Sequence, residues 1–116
     1  KGSNSRTITR SETTGAVTLD IVDDFGKIRD QDHGLVQSCV AREKWTIHPA
    51  DPLSAYGETH WSQSYSRGKW FIRTETFTSM RSDRDNFYLK GRIEAYERQE
   101  LVFERRFDET IPRTFI

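Results

Sequence analysis

Apolar side chains recur at every second position over most of the chain, and residues with turn chemistry separate the runs. Val17, Leu19 and Ile21 would share one face of a strand, because successive side chains of a strand point to opposite faces. Asp23-Asp24-Phe25-Gly26 then reads as a turn, with Gly26 free to take a positive φ. A longer run follows from Leu35 to Ile47. Its odd members Leu35, Cys39, Ala41, Trp45 and Ile47 are apolar, and Gln37 and Glu43 interrupt them.

The segment from His48 to Ala55 carries Pro49 and Pro52, so it is expected to be a corner rather than interior strand. Alternation resumes over Thr59 to Tyr65, with Trp61 and Tyr65 on one face, and Arg67-Gly68 makes the next reversal. Lys69 to Arg81 is a long strand rich in Thr and aromatics, as strand propensity favours. Ser82 to Asn86 is a turn, and Phe87, Leu89, Gly91, Ile93 and Ala95 then alternate cleanly. Gly91 in mid-strand predicts a bulge or a barrel corner. Glu97 to Glu100 turns the chain into a last strand carrying Leu101, Phe103 and Phe107. No segment keeps an apolar period of 3.6 residues.

The fold class is therefore all-β, with six to eight antiparallel strands joined mostly by short turns. The long strands and Gly91 favour a curved, barrel-like sheet of the lipocalin kind. A two-sheet sandwich is the alternative. The 116 residues suit one β domain, with residues 1–5 as a disordered leader. The chain begins with Lys, as expected of a piece cut from a longer polypeptide or of one that has lost a leader.

Composition narrows the function classes. The 18 basic and 18 acidic side chains cancel, removing the bulk attraction on which nonspecific nucleic-acid binding depends, so no nucleic-acid partner is expected. No apolar run approaches the length of a membrane span, and the first residues lack an apolar signal core, so no membrane partner is expected either. A single cysteine, Cys39, cannot form an internal disulfide, which argues against a stapled secreted scaffold and for a cytoplasmic setting. The aromatics (Phe 7, Tyr 4, Trp 3) are plentiful enough for a small core under a heavily charged surface.

The sequence offers little catalytic chemistry. It contains no nucleophile elbow, no glycine-rich phosphate loop and no local metal-ligand motif, so neither a metal nor a cofactor is expected. His48, Asp51 and Ser54 superficially offer a triad, but the plainer reading makes Asp51-Pro52 a turn and Ser54 a cap. Glu58 and His60 share a strand face, opposite Trp61, and are expected to face solvent. Glu75, Glu94 and Glu104 are expected to pair across strands with Arg73, Arg92 and Arg106. Cys39 reads as a small inert hydrophobe.

An ordered set of strings then carries a resemblance. It comprises Ile47-His48-Pro49-Ala50-Asp51-Pro52-Leu53-Ser54-Ala55, Trp61, Arg67-Gly68-Lys69-Trp70 and Arg73-Thr74-Glu75-Thr76. Phe87, Glu94-Ala95-Tyr96-Glu97, Val102 to Arg106 and Ile111-Pro112-Arg113 extend it downstream, and Asp23 to Gly26 and Asp32 to Val36 upstream. This set resembles the C-terminal extension of the longer X-Pro dipeptidyl-peptidase and cocaine-esterase-like α/β-hydrolases, and it covers most of residues 6–113. One departure is Glu97-Arg98-Gln99-Glu100, where the family pattern leads one to expect a glycine in the turn.

The resemblance implies a parent enzyme with a Ser–Asp–His triad that cleaves ester or X-Pro amide bonds. None of the triad positions falls within this chain. What it implies here is a non-catalytic accessory β domain whose partner is the parent's catalytic domain, with a second copy of the chain as a further partner. If a polar binding site exists, the family-like strings place it at Asp51, Ser54 and Arg113. Arg113 would tie the tail to the proline corner or hold a carboxylate in its planar fork. The competing expectation is a self-standing β-barrel whose tryptophans line a cavity for an apolar or aromatic ligand. A weaker one is a small enzyme using Glu58 and His60, or Arg73 and Glu75.

Overall fold

A computed structural model describes residues 2–114. Seven strands follow one another: β1 (Ser3–Arg10), β2 (Val17–Arg29), β3 (Val36–His48), β4 (Asp51–Arg67), β5 (Trp70–Ser82), β6 (Asn86–Glu97) and β7 (Glu100–Pro112). Each pairs antiparallel with the next, giving one sheet in the order β1 to β7. The all-β antiparallel expectation holds, and the strand count falls inside the expected range. The sheet does not close: β1 and β7 are its two edges.

Short turns set this meander. Arg67 pairs Trp70 around Gly68 and Lys69, with Gly68 at φ 60°. Glu97 pairs Glu100 around Arg98 and Gln99, and Arg98 takes the same place at φ 59°. Glycine is favoured at a positive φ because it has no Cβ to clash, so the expected glycine position is here filled by a strained arginine. The two longer loops share one design. Ser11 and Asp30 each accept a backbone amide four residues on, from Gly15 and Gly34, at 2.8 and 2.7 Å.

Four details differ from the sequence reading. Asp23 to Gly26 is not a turn: β2 runs straight through it, and Phe25 and Gly26 form a bulge between the Asp24–Val40 and Lys27–Ser38 pairs. Gly26 supplies the positive φ of 76°, and the Asp24 carboxylate accepts its N–H at 2.8 Å. The proline segment is a tight hairpin rather than a corner, with His48 pairing Asp51. Pro52 is tolerated because β4 overhangs β5, whose pairing with it begins only at Tyr56 and Arg81, so no neighbour needs a donor there.

Gly91 lies in regular register between Thr78 and Phe107, so no bulge forms there. Instead the Phe107 ring lies where a Cβ would stand. Finally, Ser3 to Ser5 belong to β1 rather than to a leader. With Ile8 as its only large apolar residue, β1 lacks an alternation signal, and its pairing to the free edge of β2 places it.

The register sorts side chains onto two faces. One is apolar and carries Ile21, Ala41, Trp45, Trp61, Ile93 and Phe107. The other is polar and carries Arg42, His60, Glu75, Phe77, Glu94 and Arg106. No second layer covers the apolar face. Among apolar side chains of the described residues, only Ile21 and Ala41 are buried, while Trp61 is 39% and Phe107 43% exposed. The accessible area is 8791 Å², against about 6,600 Å² for a globular monomer of this mass. The radius of gyration is 18.0 Å, against about 13 Å for a compact chain of this length.

Candidate functional site

The polar face holds the densest side-chain chemistry. Strands β4, β5 and β6 place His60, Phe77 and Arg92 side by side in one row. His60 stacks on Phe77 with centroids 4.3 Å apart, and the Arg92 guanidinium lies 4.2 Å from the centroid of the same ring. Arg42 of β3 and Arg106 of β7 extend the row at either end.

The neighbouring row is acidic. Glu75, Glu94 and Glu104 stand directly opposite one another across β5, β6 and β7. Like charges so placed repel, and each carboxylate is compensated locally. Glu75, 14% exposed, takes the His60 Nε2 at 2.5 Å on one oxygen. On the other it accepts the Ser62 hydroxyl at 2.9 Å and faces Arg73 Nε at 3.1 Å.

Glu94 faces Arg92 Nε at 2.9 Å and accepts the Tyr96 hydroxyl at 2.8 Å, a bond that holds the phenol above its usual pKa. Glu104 takes Arg106 through Nε at 3.0 Å and Nη2 at 2.9 Å. The Arg73 and Arg92 Nε groups lie at ion-pair distance but off the line of a hydrogen bond, so their attraction is chiefly Coulombic. The expected cross-strand ladder is therefore a set of same-strand pairs two residues apart. Such residues share a face, and the strands opposite present like charges instead.

Chemically this arrangement is closed. The order Ser62–Glu75–His60 puts a carboxylate between the hydroxyl and the imidazole, so the histidine is not hydrogen-bonded to the serine it would have to activate. Among the described residues no three His, Cys, Asp or Glu side chains cluster as metal ligands. Alongside the acidic row, a groove of about 770 Å³ opens over the Arg42–Arg106 row.

Asp51, Ser54 and Arg113 do structural work at one end of the sheet. The Ser54 hydroxyl accepts the His48 N–H at 2.7 Å and donates to the Asp51 carbonyl at 2.6 Å, while the Asp51 carboxylate accepts the Leu53 N–H at 3.0 Å. Together they lock the β3–β4 hairpin. Arg113 ties the tail to the β5–β6 turn instead, donating to the Asp83 carbonyl at 2.8 Å and lying 5.0 Å from the Phe87 centroid. Among the described residues no hydrogen bond joins Arg113 to Asp51 or Ser54: the first is anchored to the β5–β6 turn and the other two to the β3–β4 hairpin.

That β5–β6 turn is built on Asp83. Its carboxylate takes the Tyr88 hydroxyl at 2.5 Å and the Asp85 and Asn86 amides at 2.9 and 2.8 Å. The Tyr88 bond above all holds the acid below its usual pKa and pushes the phenol up.

Sequence reasoning put Glu58 and His60 on the face opposite Trp61, and the register agrees. It did not find the convergence of His60 and Ser62 on Glu75. Their separations of 15 and 13 residues become neighbours only once the β4–β5 register is fixed. A Trp-lined apolar groove of about 340 Å³ also emerges on the opposite face, among Val17, Leu19, Trp45, Ile47, Met80 and Phe87. Comparison with protein-family models, curated proteins and solved structures returned no match.

Proposed function

We propose that this chain is a non-catalytic accessory β domain of a larger serine hydrolase of the acyl-esterase or X-Pro dipeptidyl-peptidase kind, and that its apolar face packs on the parent's catalytic domain. The observation that carries the packing is the uncovered face itself. The chain exposes about 2,200 Å² more than a globular monomer of its mass should, the scale of a large obligate interface. Soluble monomers seldom leave a contiguous apolar patch beyond a few hundred Å².

The parent's chemistry rests on the resemblance of most of residues 6–113 to the hydrolase extension. The polar face is consistent with that division of labour, since Glu75, Glu94 and Glu104 are engaged in holding arginines and a histidine. The alternative of a lipocalin-like ligand barrel needs a continuous wall, whereas β1 and β7 stand apart as edges.

The test compares the 116-residue chain with the full-length gene product on ester and X-Pro amide substrates. Hydrolysis by the long form alone is expected. Turnover by the chain itself would overturn the assignment.

A further inference from the structure

The polar face carries a second feature, independent of the apolar one. Arg42, His60, Phe77, Arg92 and Arg106 occupy one row across five strands, and that row holds no acid. Arg92 stands directly opposite Arg106, and Arg42 directly opposite His60. A sheet selected only for stability alternates charge at such positions, because like charges directly opposite destabilise it. The cationic row is a local cost that a bound anion would offset.

The acidic row beside it serves as support. Glu94 faces Arg92 at its inner Nε, and Glu104 holds Arg106, so the two guanidinium groups are oriented. Arg92 meets Glu94 at its Nε, its terminal nitrogens donate no hydrogen bond among the described residues, and Arg42 makes neither a hydrogen bond nor an ion pair there. The next row adds Lys44 and Lys90, which lie opposite Glu58 and Asp108 with no ion pair within 4.0 Å. Five cations, Arg42, Lys44, Lys90, Arg92 and Arg106, therefore line the groove of about 770 Å³ against three acids, Glu43, Glu58 and Asp108. That volume is in the range of small-ligand sites.

From this geometry we infer that the groove on the polar face binds a small multivalent oxyanion, a polycarboxylate or polyphosphate, through Arg42 and the terminal nitrogens of Arg92. Planar guanidinium groups suit such oxygens because each offers paired, parallel N–H donors. Phe77 contributes rigidity rather than a stacking surface, since His60 and Arg92 already cover both sides of its ring.

The experiment is isothermal titration of the 116-residue chain with citrate and with inorganic tripolyphosphate, at two salt concentrations. Saturable binding is expected, weakening as salt rises, and Arg42→Gln is expected to weaken it about tenfold by removing one charge-assisted contact. Arg42 is exposed and holds up nothing in the sheet, so its loss leaves folding intact, as circular dichroism checks. Arg6→Gln, on the opposite face of β1, serves as the control and leaves binding unchanged. Binding of citrate alone marks a carboxylate ligand, and binding of tripolyphosphate alone a phosphorylated one. If neither probe binds, or Arg42→Gln and Arg6→Gln behave alike, the inference is overturned.

Discussion

Replacing Trp61 by Ala tests the uncovered face where it is most central. Trp61 stands opposite Ala41 and Thr76, and its ring stacks on Phe25 at 6.5 Å between centroids. In the isolated chain the substitution removes that stack and the part of the ring already covered, a loss common to any form of the protein. The 39% still exposed is different, because only a covering partner can bury it. For an indole that remainder is about 100 Å², worth roughly 2.5 kcal/mol on transfer out of water.

The same substitution should therefore destabilise the full-length gene product by roughly 2.5 kcal/mol more than it destabilises the 116-residue chain. Urea unfolding followed by circular dichroism reads both values. Val40→Ala, on the polar face, should cost the same in both forms. Equal losses for Trp61→Ala in the two forms would refute the claim that this face is covered.

Three further outcomes follow from local geometry. Arg98→Gly should stabilise the chain by roughly 0.5–1 kcal/mol in a urea titration, because glycine relieves the positive φ at the cost of some unfolded-state entropy. Gly91→Ala should destabilise by about 1–3 kcal/mol, since the new methyl group overlaps the Phe107 ring, and Phe107→Leu in the same chain should recover part of the loss. Asp83→Asn should lower the melting temperature at neutral pH. The native acid titrates below its unfolded value of 3.8, so its contribution is present above that pH and is lost as pH falls through the depressed native value. Wild type and variant melting temperatures should accordingly converge once the pH lies below the depressed native value.

Much of the fold was legible because alternation is a strong signal where one face is apolar. The odd members of the run to Ile47 do share the apolar face, and Glu43 is accommodated there by accepting the Trp45 indole N–H at 3.0 Å. The signal fails where apolar residues are sparse, as in β1, and where a special backbone hides a continuation, as at Gly26. It also cannot separate a glycine that bends a strand from one that admits a neighbouring ring, which is why Gly91 misled.

The polar site was least legible, because charge pairing depends on register. One residue of slip exchanges faces: the β5–β6 turn sets Glu75 opposite Glu94, and the register shift at Ala95/Tyr96, following the turn at Arg98, sets Glu104 opposite Glu94. Asp51, Ser54 and Arg113 were legible as turn and tail residues, but their separate anchor points were not.

The proposed packing requires that another part of a longer protein cover the apolar face. Oxidative footprinting of Trp45, Trp61 and Met80, all on that face, tests it most directly. Rapid modification of all three is expected in the 116-residue chain, and strong protection in the full-length gene product. Equal modification in both forms would contradict it.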